Sequence, residues 1–277
     1  MATDYPFLAD PISETLLIPL YMRAQQTLVT NPLIQDESAV KLVQTIDYDF
    51  SQFNNKPKSA VGTALRAAFF DQQCREFIIA HSQPIIVNVG CGLDDRYARL
   101  GALAQNALFY ELDMPNVIDI RQQLLPTHHN QHLIACSMFD TPWLDKLASE
   151  HPNAHFLFVI EGVLMYFDEQ HNRQFFSQVA ERIQHAEFLF DMAGAFMAHN
   201  TQRHDVVSQM QATFKFGSDD EKVAERWHPR LEHLHTTLFH QLKGYHRMGW
   251  FIALMMRFVP KFKRVMLLQH YKLKRVT

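Results

Sequence analysis

Cysteine is scarce: only three occur in 277 residues, at 74, 91 and 136, an odd and unpatterned set. That excludes a disulfide-stapled scaffold and a cysteine-rich zinc module, and it fits free thiols in a reducing compartment. Long apolar runs are missing too; the longest, Gly249 to Met256, is far short of a membrane span. Met1 to Pro19 lacks the basic start and apolar core of a signal peptide, so a cytoplasmic location is expected. The 9 glycines and 12 prolines are scattered, leaving no linker, repeat or low-complexity tract. Neither a G-x-S-x-G elbow nor a P-loop occurs, which argues against an α/β-hydrolase and a P-loop nucleotidase. Acid is absent from Lys243 onward, where nine Lys or Arg fall in a chain of net charge −3.

What is present centres on residues 84 to 113. Ile85 to Val89 is a short β-branched apolar run, as a strand covered on both faces should be. Gly90 and Gly92 bracket Cys91 where the chain must turn and let a ligand approach the backbone. Leu93 to Gln105 has roughly helical apolar spacing, and Ala107 to Leu112 is a second strand with Glu111 and Asp113 at its C-terminal end. In a doubly wound sheet that end faces the ligand crevice, where Asp113 can accept both hydroxyls of a ribose. The third glycine of a dinucleotide fingerprint is absent, since Leu-Asp-Asp follows Gly-Cys-Gly. A ribose acid without a phosphate cradle suits a nucleoside that carries no phosphate, and S-adenosyl-L-methionine is the common one.

Three blocks then resemble a known family: Val-Asn-Val-Gly-Cys-Gly-Leu-Asp-Asp-Arg-Tyr-Ala-Arg-Leu (87–100), Tyr-Glu-Leu-Asp-Met-Pro (110–115) and Glu-Gly-Val-Leu-Met-Tyr-Phe (161–167). Together they are similar to the leucine carboxyl methyltransferase family, which includes bacterial polyketide O-methyltransferases of the tetracenomycin type. The resemblance covers roughly residues 10 to 192. It implies a Rossmann-like class I methyltransferase fold: a mostly parallel seven-stranded sheet with an antiparallel edge strand, N-terminal helices and a helical lid insertion. It also implies that Arg66 holds the cofactor's carboxylate, and that Glu161, followed by Gly162, lies near its amino group or sulfonium. Many relatives bind adenine through an acid after the third strand; here Ser137 and Met138 stand in that place, with Asp140 two residues on.

Along the chain, Ser13 to Leu28, Glu37 to Ile46 and Pro57 to Ala80 read as helices, with Ser13 as the first cap, and make residues 1–82 an N-terminal helical cap. Residues 83–192 make the S-adenosyl-L-methionine-binding core, with strands at Leu133–Ser137, Ala154–Ile160 and Glu187–Asp191. Tyr166 and Asp191 fall at the crevice mouth and are candidate substrate contacts. Residues 193–242 read as helices inserted after the fifth strand, a lid over the crevice, with Trp227 as a lid aromatic or a core residue. Residues 243–277 complete the core with a helix and a final strand, Arg264 to Arg275, at the sheet edge. His228, Glu232 and His235 would share a face if Pro229 to Gln241 were helical; a surface histidine face is preferred to a metal site there. The basic C-terminal segment reads as a solvated face, with membrane-surface contact around Trp250, Phe258 and Phe262 as the alternative.

The expected activity is methyl transfer from S-adenosyl-L-methionine to a carboxylate or phenolic oxygen of a small-molecule acceptor, such as a polyketide-like metabolite. The alternatives are a protein C-terminal carboxyl methyltransferase and a non-catalytic binding protein that keeps the fold. No nucleic-acid partner and no metal are expected.

Overall fold

A computed structural model describes residues 16–200 and 213–275. The expected cap Ser13 lies outside the described residues. The helices before the sheet are α1 (Leu17–Thr27), α2 (Glu37–Thr45) and α3 (Pro57–Ala80). Pro57 opens α3 at a position where its missing N–H costs nothing. Asp36 caps α2 by accepting from the Ala39 N–H.

Strand and helix then alternate: β1 (Pro84–Val89), α4 (Arg96–Leu100), β2 (Leu108–Asp113), α5 (Pro115–Leu124), β3 (Gln131–Ala135), α6 (Pro142–Glu150), β4 (His155–Ile160), α7 (Glu169–Arg182) and β5 (Ala186–Ala193). The helix expected from Leu93 starts later, at Arg96, because Asp95 caps it through the Ala98 N–H; past Gly101 it tightens into a 3-10 turn. After β5 come a single turn α8 (Ala195–His199), β6 (Leu231–Leu238), α9 (Trp250–Phe258), α10 (Pro260–Lys263) and β7 (Met266–Leu273).

The seven strands are ordered β3-β2-β1-β4-β5-β7-β6. Strands β1 to β5 are mutually parallel, and β7 runs antiparallel to both β5 and β6. The final strand is therefore one place in from the edge, and β6 is outermost. The order reverses between β1 and β4, which puts a ligand crevice beyond the C-terminal ends of those two strands.

Two corrections concern residues 193–242. The segment expected to be helical through Gln241 contains β6, so His228, Glu232 and His235 share no helix face. Glu232 instead meets the Lys272 ammonium across the strand pair at 3.4 Å. The alternation that marks a strand breaks at a register shift between His233 and His235, where Leu234 is turned outward, and this hides β6 in the sequence. Nor is residue 223 onward a lid: Val223, Ala224, Trp227 and Leu231 join the core.

Both sheet faces are covered. Phe156, Phe158 and Ile160 of β4 face Phe175, Phe176 and Trp143, while Leu157 and Val159 face Phe70, Phe77 and Cys74. Phe158 is fully enclosed, stacked on Phe188 with centroids 5.4 Å apart and edge-on to Phe175 and Trp143. Phe158→Ala should destabilise the protein by about 3–5 kcal/mol in a urea titration, the range for an aromatic deleted from a closed core.

Candidate functional site

At the end of β1 the chain turns through Gly90 and Gly92, both at positive φ. A Cβ at Gly90 would lie 2.5 Å from the Val163 side chain, so the turn from β1 and the loop after β4 can pack together only if this residue is glycine. The Gly90 and Cys91 N–H groups both donate to the Leu112 carbonyl, at 2.8 and 3.1 Å, and the Gly92 N–H donates to Asp113 Oδ2 at 2.8 Å. All three N–H groups of the turn are thus spent inside the protein. None is left to cradle a phosphate.

The two acids of β2 separate completely. Glu111 is buried, accepting both contacts of the Asn88 amide and one from Gln131. Asp113 sits half-buried at the crevice, accepting from Gly92 on one oxygen and from the Met114 N–H on the other, at 2.8 Å each. A carboxylate has about four acceptor positions, so two remain for a pair of ribose hydroxyls. Burial pushes the Asp113 carboxyl up from its ordinary value, and the two N–H bonds only partly offset that.

Opposite the turn, α3 carries Arg66 to the ends of β4 and β5. Its Nε donates to Glu161 Oε1 at 2.9 Å and its Nη1 to Asp191 Oδ2 at 2.7 Å. Asp191 also accepts from the Gly162 N–H at 2.6 Å. Gly162 has φ +73°, and a Cβ there would stand 3.2 Å from Arg66 Nη2, so the guanidinium lies flat against bare backbone. Burial alone would lower the Arg66 pKa, but Asp191 and Glu161 more than reverse this and hold it above its ordinary value. Nη2 makes no hydrogen bond among the described residues, and its two N–H groups can bind a ligand carboxylate.

Glu161 is shared. Its second oxygen accepts from Arg96 Nη2 at 2.6 Å; Arg96 also donates to Asp71 at 3.0 Å and Asn88 at 2.8 Å. Arg99 extends the chain of ion pairs to Asp71, Asp94 and Asp36, and Arg23 closes it on Asp36. Four arginines meet five carboxylates, an excess of one negative charge beside the crevice. Burial would raise the Asp94 carboxyl, but Arg99, Arg23 and Arg96 hold it well below the usual carboxylate range. Sequence reasoning missed Asp36, Asp71, Asn88, Asp94, Arg96 and Arg99. The alternating charges of Asp94-Asp95-Arg96 and Arg99, inside the family block 87–100 that also holds Asn88, were the available signal. Arg23 belongs to this network and not to the crevice.

The other expected residues fall as follows. Ser137 and Asp140 close a turn after β3, with the Ser137 N–H donating to Asp140 Oδ2 at 3.2 Å; Met138 is buried in the core. Beside that turn a cavity of about 440 Å³ is lined by Cys136, Phe139, Asp140, Thr141, Pro142 and Trp143. Tyr166 packs edge-on against Phe214, and burial pushes its hydroxyl up to about 12. Cys91 is buried with its thiol pKa raised well above normal, so it shapes the turn and offers no nucleophile. Trp227 is no lid residue: it is 3% exposed, packed on Phe176 and Phe216, with its indole N–H donating to Glu169.

A family model described as leucine carboxyl methyltransferase matches residues 17–180, which include the turn, Asp113, Arg66 and Glu161. The chain belongs to that family. Its cofactor is S-adenosyl-L-methionine. Among relatives, the tetracenomycin polyketide synthesis O-methyltransferase TcmP of Streptomyces glaucescens is 26% identical over 220 residues, 79% of this chain and 80% of that protein. The S-adenosyl-L-methionine-dependent methyltransferase dpfgK of Gibberella zeae is 24% identical, covering 88% of each. A crystal structure of a putative methyltransferase from Thermobifida fusca superposes with TM-score 0.56 at 11% identity, over 91% of this chain and 94% of that one, a likeness of fold. The residues at the crevice fit the cofactor: Asp113 keeps two acceptor positions, Arg66 keeps Nη2, the glycine turn is bare, and the surplus carboxylate suits a cationic ligand.

Two outcomes follow from this geometry. Arg96→Ala strips Glu161 Oε2 and Asn88 Oδ1 of their donor and leaves Asp71 to Arg99 alone, and should destabilise folding by about 3–5 kcal/mol in chemical denaturation. An aspartate whose pKa is raised in the folded state costs stability at neutral pH, and that cost disappears as pH falls through the raised value. Binding that needs the carboxylate is lost over the same interval. Affinity for S-adenosyl-L-homocysteine should therefore weaken on acidification at a pH above the ordinary aspartate value of about 3.9. Calorimetry across pH should show that inflection in the wild type and not in Asp113→Ala.

Proposed function

We propose that this methyltransferase acts on oxygen, and that the acceptor is a carboxylate of a small molecule. The observation that carries the reading is the absence of a competent base at the crevice among the described residues. Glu161 and Asp191 are committed to arginines and Asp113 to two backbone N–H groups, while the Tyr166 hydroxyl stays protonated at neutral pH. Among the described residues no histidine hydrogen-bonds to any of these four. A phenol or alcohol needs its proton removed during transfer, whereas a carboxylate is already ionised and needs only to be positioned. That one relative bears the name of a polyketide synthesis O-methyltransferase supports oxygen as the receiving atom.

In this reading Asp113 receives the ribose hydroxyls of the cofactor. Arg66 receives its amino-acid carboxylate through Nη2, and Glu161 with Asp191 faces its ammonium. Gly90, Cys91 and Gly92 form the wall against which the cofactor lies, and Ser137, Met138 and the cavity beside Phe139 border its base. Bound there, S-adenosyl-L-methionine supplies a methyl group activated by its sulfonium charge. The protein's own contribution is orientation and the exclusion of water. Tyr166, protonated and beside Phe214, donates a hydrogen bond that orients the acceptor's carboxylate.

Labelled methyl transfer to a panel of carboxylic acids and phenols tests the reading. A methyl ester releases its label as methanol in alkali, so alkali-labile product is expected; alkali-stable product would place the methyl on a phenol and overturn the proposal. Asp113→Ala should weaken S-adenosyl-L-homocysteine binding by about 1–3 kcal/mol. Arg66→Ala should weaken it further while sparing adenosine; equal losses for both ligands would remove Arg66 from the carboxylate role.

A further inference from the structure

The described surface has nine exposed large apolar residues, and four of them stand on one nine-residue helix. On α9, Trp250 is 79% exposed, Phe258 67%, Phe251 56% and Leu254 49%. Trp250, Leu254 and Phe258 follow one another at four-residue steps and so form a single stripe. Ala253 and Met256, on the opposite side, are buried and anchor the helix to the core. The apolar stripe is therefore displayed on a fixed element.

The charge around the stripe has one sign. Lys243, Arg257, Lys261 and Lys263 are exposed, and none of them pairs with a carboxylate among the described residues. Arg257 lies over the Phe258 ring at 5.6 Å, with its charge at the rim of the apolar surface. Arg264, at the end of α10, is the neighbour already neutralised, by Glu221 at 2.9 Å. No Asp or Glu occurs anywhere between Lys243 and the C-terminus. Tryptophan and phenylalanine on one face with Lys and Arg flanking it is the composition of a helix that lies in a membrane interface. Apolar side chains enter the acyl boundary, and the long basic side chains reach the headgroups.

We propose that α9 and α10 dock the protein on an anionic phospholipid surface. The surface is shaped for a bilayer whose headgroups carry net negative charge, and the charge complementarity selects that occupant. An identical copy would bring the same unpaired cations face to face. This inference is independent of the methyl acceptor's identity. It does orient the molecule: Phe262 of α10 packs on Phe196 of α8 at 5.6 Å, and the Gly194 N–H, just past β5, donates to the Val265 carbonyl at 3.1 Å. The docking face thus adjoins the end of the sheet that carries Asp191.

Trp250 provides the readout, because Trp143 and Trp227 are both buried. Mixing the full chain with vesicles of equal parts phosphatidylcholine and phosphatidylglycerol should shift its emission to shorter wavelength and carry the protein into the pellet. Pure phosphatidylcholine vesicles should bind at least about tenfold less, and added salt should release the protein. Trp250→Ala combined with Phe258→Ala should cost about tenfold or more in partitioning. Lys261→Glu with Lys263→Glu should cost roughly thirtyfold. These side chains are exposed, and circular dichroism should show the variants folded. Failure to pellet with either vesicle, or equal binding to both, would overturn the proposal. So would a dimeric mass with Trp250 already shielded in the absence of lipid, which would assign the face to a second copy.

Discussion

The carboxylate of Glu161 binds two guanidiniums at once, Arg66 from α3 and Arg96 from the first turn of α4. Through it the end of β4 is joined to α3 and to the start of α4, and through Arg66 to the end of β5. Taking this many charges out of water is expensive, and replacing such a network by apolar side chains is often neutral or stabilising. Its value here is positional. A guanidinium held by two carboxylates at 2.9 and 2.7 Å is aimed before any ligand arrives, and the cost of ordering it has been met during folding.

The same arrangement accounts for what the crevice excludes. A loop that binds phosphate needs unspent N–H groups, and the turn from Gly90 to Gly92 directs all three of its own into Leu112 and Asp113. The surplus carboxylate favours positive charge on the ligand, and Asp113 at the rim favours vicinal hydroxyls. A cationic, phosphate-free adenosyl compound satisfies all of these, which is why a bare glycine turn here belongs with methyl transfer and not with a dinucleotide. Rigidity comes from the aromatic layers behind: Phe156, Phe158, Phe175, Phe176 and Phe188 fill the space under β4 and β5 and leave the strand ends little freedom.

Much of this could be read in the chain. Ile85 to Val89, Gly90, Gly92 and the acid at Asp113 follow one another within about one strand–helix–strand unit, and each signals its conformation locally. The role of Arg66 came only through the family resemblance, and that of Glu161 through its block, and the structure brings the two together. Trp227 misled because an aromatic flanked by charged residues looks the same on a lid as in a core. Strand β6 misled because a bulge at Leu234 breaks its alternation, and its histidines and threonines carry no apolar period of their own.

By itself the sequence determined the succession of strands and helices through β5, the sharp turn after β1 and the acid that ends β2, because periodicity, positive-φ glycine and chain order are properties of neighbouring residues. Tertiary structure alone decided the partners. Arg66 meets carboxylates 95 and 125 residues away, the side chains of Arg96 and Arg99 turn out to be enclosed and fully engaged, and of two acids on β2 only Asp113 reaches the crevice. The reason is that pairing of charges depends on which strand ends lie side by side, and that order, β3-β2-β1-β4-β5-β7-β6, is set by packing over the whole sheet.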